Sequence, residues 1–425
     1  MKRTLTSSLA LVAAAAGALN AATTAKTPTY NQDIAPILYQ NCAGCHRPGE
    51  VAPFSLLTYQ DTAKRAALLA TVTKARVMPP LKAEPGYGDF KDVRRLSDEQ
   101  IALIQQWASN GAPEGGGPKP APPKFTEGWQ LGPPDRVATM PAKFAVPADG
   151  PDQFRCFVIP LNLEKDTYLH GLEFRADNRR TVHHALVFLD NSGQGRKLAA
   201  GSADGGYTCF GGPGVPANLV GGWAPGIVPR KPVAAYATTL TPKSDLVLQI
   251  HYHPSGTAAQ DQSSLGLFFG DAPTQGRSVV LMGNLGIDIP PGESHYVVKA
   301  SRTINADADL LGITPHAHYI CKDMKVTAHL PDGTETPLIW IKDWDFNWQG
   351  AYTYASPMKL PKGTRVDMEF TYDNSDKNPR NPAHPPVEVK YGEQTTNEMG
   401  FVFLTFGLPT PADAAAFARG TFGDR

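Results

Sequence analysis

The chain has no surplus of either charge. In 425 residues, 40 Lys and Arg stand against 40 Asp and Glu, and no basic run reaches five residues. A polyanion or an anionic membrane surface attracts a protein through concentrated positive charge, so this balance argues against nucleic-acid and membrane-surface partners. Long apolar runs are also scarce. The one such stretch, Leu5 to Leu19, follows Lys2-Arg3 and ends at small residues near Ala21 and Ala22. It is shorter than the ~20 residues a spanning helix needs, so residues 1–22 read as a secretory signal, with a membrane anchor as the alternative. The expectation is a periplasmic or secreted protein without a membrane span, in a compartment where disulfides persist. Cysteine is sparse, with five residues, and Cys156, Cys209 and Cys321 are not followed by closely spaced His and Met as a blue-copper site requires.

Regular helix is disfavoured as well. Gly (40) and Pro (39) make up 79 of the 425 residues, and they punctuate short apolar runs such as LVLQI and FVFLTF. That pattern predicts a mainly β fold of short strands and tight turns. The exception is 27–113. Ile34, Ile37 and Leu38 share one helical face, an Ala-rich segment runs from Asp61 to Val77, and Ser97 with Gln100 has capping-box spacing before Ile101, Ile104 and Trp107. Gly111 stands where that last helix should stop. The Gly/Pro-rich stretch at 114–125 is linker chemistry. Beyond it the period changes to two, with Leu246, Leu248 and Ile250 alternating with Val247, Gln249 and His251. Turn residues near Ile289-Pro290-Pro291-Gly292 divide this region into two β domains, expected at 126–284 and 285–425.

Within the helical segment, Cys42-Ala43-Gly44-Cys45-His46 has c-type haem attachment spacing: two thiols bond the porphyrin and the next histidine ligates iron. A dithiol redox pair or a structural disulfide is the competing explanation. Met78, followed by Pro79 and Pro80, is a candidate for the opposite axial position, a pairing that raises reduction potential and suits electron transfer. Over these ~80 residues the segment resembles the class I cytochrome c fold.

Six of the remaining histidines fall in three clusters: His183-His184, His251-Tyr252-His253 and His316-Ala317-His318. Strand residues two apart point the same way, so His316 and His318 can address one ion. Adjacent His183 and His184 point apart unless the strand bulges or ends. Imidazole sets suit copper or zinc, and a thioether such as Met399 selects Cu(I). Singly, each pair also fits a hydrogen-bonded core or surface role.

Taken together, His183-His184, LQIHY with His251, the His316-His318 pair and NEM with Met399 resemble the copper type II, ascorbate-dependent monooxygenases, the peptidylglycine and dopamine hydroxylases, over Gln153 to Phe406. The resemblance implies two jelly-roll-like β-sandwiches facing each other across a solvent-filled cleft. One copper would store an electron at His183, His184 and His251; the other would bind dioxygen at His316, His318 and Met399. It also implies a Cys156–Cys209 disulfide, with His253 beside the site or on the surface. Cys321 is left as a core residue, a reactive thiol or a weak ligand. The implied partners are dioxygen, a small organic substrate and an electron donor, either an ascorbate-like reductant or a periplasmic redox protein. Electrons would enter through the fused haem. In the peptide-amidating branch an Arg and a Tyr hold the substrate carboxylate. Thr314 and Phe403 occupy those positions here, which implies a less polar substrate. Two other function classes fit the same residues: a non-enzymatic haem and copper electron carrier or copper-binding protein, and a β-sandwich whose histidines are structural.

Overall fold

The computed structural model describes residues 27–421 apart from 51, 127, 226, 228 and 231–234, so the expected signal at 1–22 lies outside the described residues. The chain is mainly β. Its main helical region is 30–109, where a π-helical turn, Tyr30–Ile34, runs into helix Ala35–Asn41 and three more helices follow, Tyr59–Ala63, Ala66–Lys74 and Asp98–Ser109. Ile34, Leu38, Ile104 and Trp107 are fully buried and form the centre of a small core. The capping box is present: Gln100 N–H donates to Ser97 Oγ at 3.2 Å, and Ser97 N–H donates to Gln100 Oε1 at 3.0 Å. Past this helix Gly111 takes φ +80°, a left-handed conformation that glycine adopts without steric cost. The Ala-rich segment does not run as one helix from Asp61 to Val77. It breaks at Lys64 and Arg65, where the Arg65 guanidinium turns back to the Asp61 carbonyl and stacks on Phe54, and it stops at Lys74, before Arg76 at φ +53°.

Two β bodies follow. In the first, a five-stranded antiparallel sheet of Gly206–Thr208, Gln153–Pro160, Asp245–Tyr252, Val182–Asp190 and Asn218–Trp223 packs on a four-stranded sheet of Arg136–Thr139, Ser264–Gly270, Thr167–Arg175 and Thr238–Leu240. Leu246, Leu248 and Ile250 from one sheet meet Leu169, Leu265 and Leu267 from the other. In the second body, the sheet of Gly276–Gly283, Gly400–Leu408, Ala308–Ala317 and Tyr352–Leu360 packs on Tyr296–Thr303, Arg365–Tyr372, Cys321–His329 and Glu335–Ile341. Its core includes Leu310, Ile313, Val326, Ile339, Phe370 and Leu404.

The boundary expected after 284 falls one strand too late. Gly276–Gly283 pairs along its whole length with Gly400–Leu408 and sends Val280 and Met282 into the second core. Period-two patterning cannot assign a strand to one of two neighbouring sheets, because both offer an apolar face. The helical segment is less separate than its composition suggests. Ala83 and Phe90 are bridged to Ile341 and Tyr354 and belong to the second core. The expected linker begins fastened down: Tyr30 N–H and Asn31 N–H donate to the carbonyls of Pro113 and Glu114 at 2.9 and 3.0 Å.

Cys156 and Cys209 form a disulfide that ties the Gln153–Pro160 strand to the glycine-rich loop. The bond closes a sequence separation of 53 residues, for which chain entropy predicts a stabilisation of about 4 kcal/mol. Replacing both cysteines with serine should lower unfolding free energy by about 2–5 kcal/mol in denaturant titrations. No measurable loss would remove the bond from the stability of the fold.

Candidate metal centre and cavity

His183 and His184 are adjacent, yet their imidazoles meet. Val182 pairs with Tyr252 and His184 with His251, which leaves His183 as the extra residue of a bulge. The bulge turns both rings to one side. His183 Nδ1 lies 3.2 Å from His184 Nδ1, and His251 Nδ1 lies 3.4 Å from the same atom. Nitrogens bound at ~2.0–2.1 Å to one tetrahedral ion sit about 3.3–3.4 Å apart, so the spacing fits a shared metal. Burial holds His183 and His184 neutral, the first pushed down to about 3 and the second well below its ordinary value. Neutral rings have the lone pairs that a metal uses.

Asp152 supports this cluster from behind. Its Oδ2 is 3.0 Å from His251 Nε2, outside hydrogen-bond alignment, and its Oδ1 is 2.7 Å from Nδ1 of the half-exposed His253. His253 is thus a partner of Asp152 and stands outside the three-imidazole cluster. Phe154 stacks on His251 with centroids 4.3 Å apart, closing that side.

His316 ends the Ala308–Ala317 strand and His318 follows two residues on, with ring centroids 5.4 Å apart. His316 Nδ1 lies 2.7 Å from Gln349 Oε1 and His318 Nδ1 lies 3.1 Å from the Asn397 carbonyl. Both partners accept, so each Nδ1 carries the proton and each Nε2 keeps a lone pair for a metal. Glu398 binds the two ligand-bearing loops together by accepting from the N–H groups of His318, Ile320 and Met399. Burial pushes its carboxyl up to about 8, against the pull of those donors.

The two groups are not held apart by a wide cleft. The rings of His184 and His316 are 6.1 Å apart, and Phe346 stacks on His183 at 4.6 Å while lying 5.7 Å from His318. His184, His251, His316, His318 and Met399 all line one cavity of about 550 Å³ between the facing sheets of the two bodies. The remaining lining is mostly apolar and includes Leu186, Phe188, Leu281 and Phe403.

Sequence reasoning missed Asp152, Phe346, Gln349 and Glu398. The dense run Trp344-Asp345-Phe346-Asn347-Trp348-Gln349 was the available signal for two of them, and Glu398 stands inside the NEM motif itself. In the helical segment, Cys42 and Cys45 are free thiols. His46 Nδ1 meets the Phe54 carbonyl at 3.1 Å, which leaves Nε2 bare as an axial ligand requires. Met78 is partly buried, at the start of a strap that leads to Lys82. Cys321 is a buried free thiol of the second core, raised well above its ordinary value by burial.

No protein-family model matches the chain, and no curated protein matches it. Among solved structures, PNGF-II is similar at 9% identity over 60% of this chain and 60% of that one, with a TM-score of 0.25. The infectious bursal disease virus VP2 subviral particle is similar at 11% identity over 67% and 73%, with a TM-score of 0.20. Likeness at these scores carries no argument about fold or chemistry.

Two predictions follow from the geometry. Asp152→Ala should weaken metal binding at the three-histidine group by about 10–100-fold in chelator competition, as lost outer-shell partners do; unchanged affinity would reject its supporting role. Burial raises the Glu393 carboxyl, which lines the cavity, to about 7. The folded state therefore holds that proton more tightly than the unfolded chain, and stability from this group falls as pH rises from its ordinary range through about 7. Glu393→Gln should flatten that part of the melting-temperature profile; identical profiles would contradict it.

Proposed function

We propose that the chain is an exported dicopper monooxygenase of the peptidylglycine and dopamine hydroxylase type, with a class I cytochrome c domain at its helical end and two jelly-roll-like sandwiches. The observation that carries the reading is the convergence of three Nδ1 atoms on one wall of a cavity whose opposite wall presents His316, His318 and Met399. The reaction is R–H + O2 + 2 electrons + 2 protons giving R–OH + H2O, with the electrons drawn from an ascorbate-like reductant or a periplasmic redox protein. When bound, copper supplies dioxygen binding and one-electron steps, and haem supplies electron entry.

The protein's own groups do the rest. His183, His184 and His251 would hold one copper, and His316, His318 and Met399 the other, with the soft thioether favouring the reduced ion. Gln349 and the Asn397 carbonyl fix the tautomers of His316 and His318. Apolar side chains from both sheets line the space beside the ligand sets. Cys42, Cys45, His46 and Met78 would hold the haem.

Electron entry within one chain is supported by two attachments of the helical segment. Beside the haem motif, Arg179 Nη1 donates to the Gly49 carbonyl at 2.6 Å and to Glu50 at 3.1 Å, four residues before His183. Beyond Met78, Lys82 pairs with Asp343 at 2.9 Å, three residues before the Phe346 that stacks on His183.

Purified protein should carry two coppers and one covalent haem by metal analysis and reduced-state spectroscopy. Met399→Ile should abolish substrate-dependent oxygen uptake while leaving haem absorbance unchanged; full turnover would sink the assignment. Met78→Ala should alter haem potential and slow copper reduction. An electron carrier would hold the same metals yet show no oxygen uptake that depends on an organic compound, and that outcome favours the second reading.

A further inference from the structure

The shared cavity has a second polar end, far from the histidines. Arg277, Val279 and Leu281 alternate along the Gly276–Gly283 strand and all three line the cavity. On the central Gly400–Leu408 strand, Arg277 faces Gly407, whereas Phe401 is the residue opposite His316. Six residues separate 407 from 401, which at strand rise places Arg277 about 20 Å along the sheet from the His316 level. Apolar side chains line the way between: Val279, Leu281 and Phe403 on one wall, Leu186, Phe188 and Leu219 on the other.

Arg277 is partly buried and poorly partnered. Among the described residues its guanidinium donates one long hydrogen bond, Nη1 to the Val220 carbonyl at 3.4 Å, and meets no carboxylate within ion-pair distance. The nearest acid by register is Asp309, on the other side of Gly407, and the Tyr236 ring packs over that glycine. Pro411, Ala414 and Ala415, from the first turns of helix Pro411–Thr421, form the same end of the cavity. A guanidinium in an apolar enclosure binds a carboxylate through paired, charge-assisted hydrogen bonds, and an unpaired one is costly.

We propose that Arg277 anchors the carboxylate of an amphipathic acid whose apolar chain runs along the cavity and presents its far end to His316, His318 and Met399. This rests on the monooxygenase reading for the chemistry, but not for the binding. It revises the expectation drawn from Thr314 and Phe403. The cation absent from the position beside His316 is supplied from the next strand but one in the same sheet, and the charge is held at the end of the cavity opposite the reacting bond. A volume of about 550 Å³ reaching from Arg277 to the histidines suits an extended alkyl chain.

The test is calorimetric binding to the full-length chain, stripped of copper and then copper-loaded, with a graded series from hexanoate to dodecanoate and the matching primary alcohols. Acids should bind more tightly than alcohols of equal length, with affinity rising along the series. Arg277→Met should weaken acid binding by about 10–100-fold while leaving the alcohols unchanged, and Arg277→Lys should fall between. The unaltered alcohol binding shows that the variant is folded. Equal binding of acid and alcohol to the wild type, an acid preference surviving in Arg277→Met, or no binding of any probe would overturn the proposal. Acid binding to both forms, without acid-dependent oxygen uptake in the loaded protein, would uphold the anchor and reject the monooxygenase reading.

Discussion

Where the Val182–Asp190 strand runs past the Asp245–Tyr252 strand, one residue too many enters the ladder, and His183 is that residue. A regular strand would send His183 and His184 to opposite faces. The bulge brings both to the face of His251, and three rings converge with their Nδ1 atoms at 3.2 and 3.4 Å. Close nitrogens of this kind satisfy one another poorly, since each neutral imidazole has one proton to give. Phe154 stacks on His251 and Phe346 on His183, covering one face of each ring. Three imidazole nitrogens this close could share one metal ion.

The facing of the two β bodies depends on the same enclosure. The Asp245–Tyr252 strand is buried along its full length on both sides. Leu246, Leu248 and Ile250 fill the first core, while Gln249 and His251 turn toward the cavity. On the opposite wall the Ala308–Ala317 and Gly400–Leu408 strands direct His316, Phe401 and Phe403 into the same space. Two sheets that each keep one face for their own core have thus given the other to a common interior. That interior has His316 and His318 at one end and Arg277 at the other, with a mostly apolar wall between them.

The helical segment joins this arrangement at two points. Glu50, just past the Cys42–His46 motif, meets Arg179 of the first body; Lys82, just past Met78, meets Asp343 of the second. Ala83 and Phe90 continue into the second core. The strap is therefore packed with the apolar strength of a domain interior, whereas a flexible tether would leave the segment free to wander.

Local patterns determined a good deal. Period-two runs and Gly/Pro punctuation specify a mainly β chain, because pleated strands expose alternate faces and turns need those residues. The Ser97 and Gln100 pair specified a helix start, since capping is a contact three residues long. The need for a bulge at His183-His184 was also legible, as a contradiction between strand geometry and shared ligation. Only the tertiary structure decided that Gly276–Gly283 belongs to the second body, that the Ala-rich stretch breaks at Arg65, and that His184 and His316 lie within 6.1 Å. It alone brought Asp152 and Gln349 to the histidines and Arg277 to the cavity, because their partners are distant in the chain and nothing in local spacing encodes such a contact.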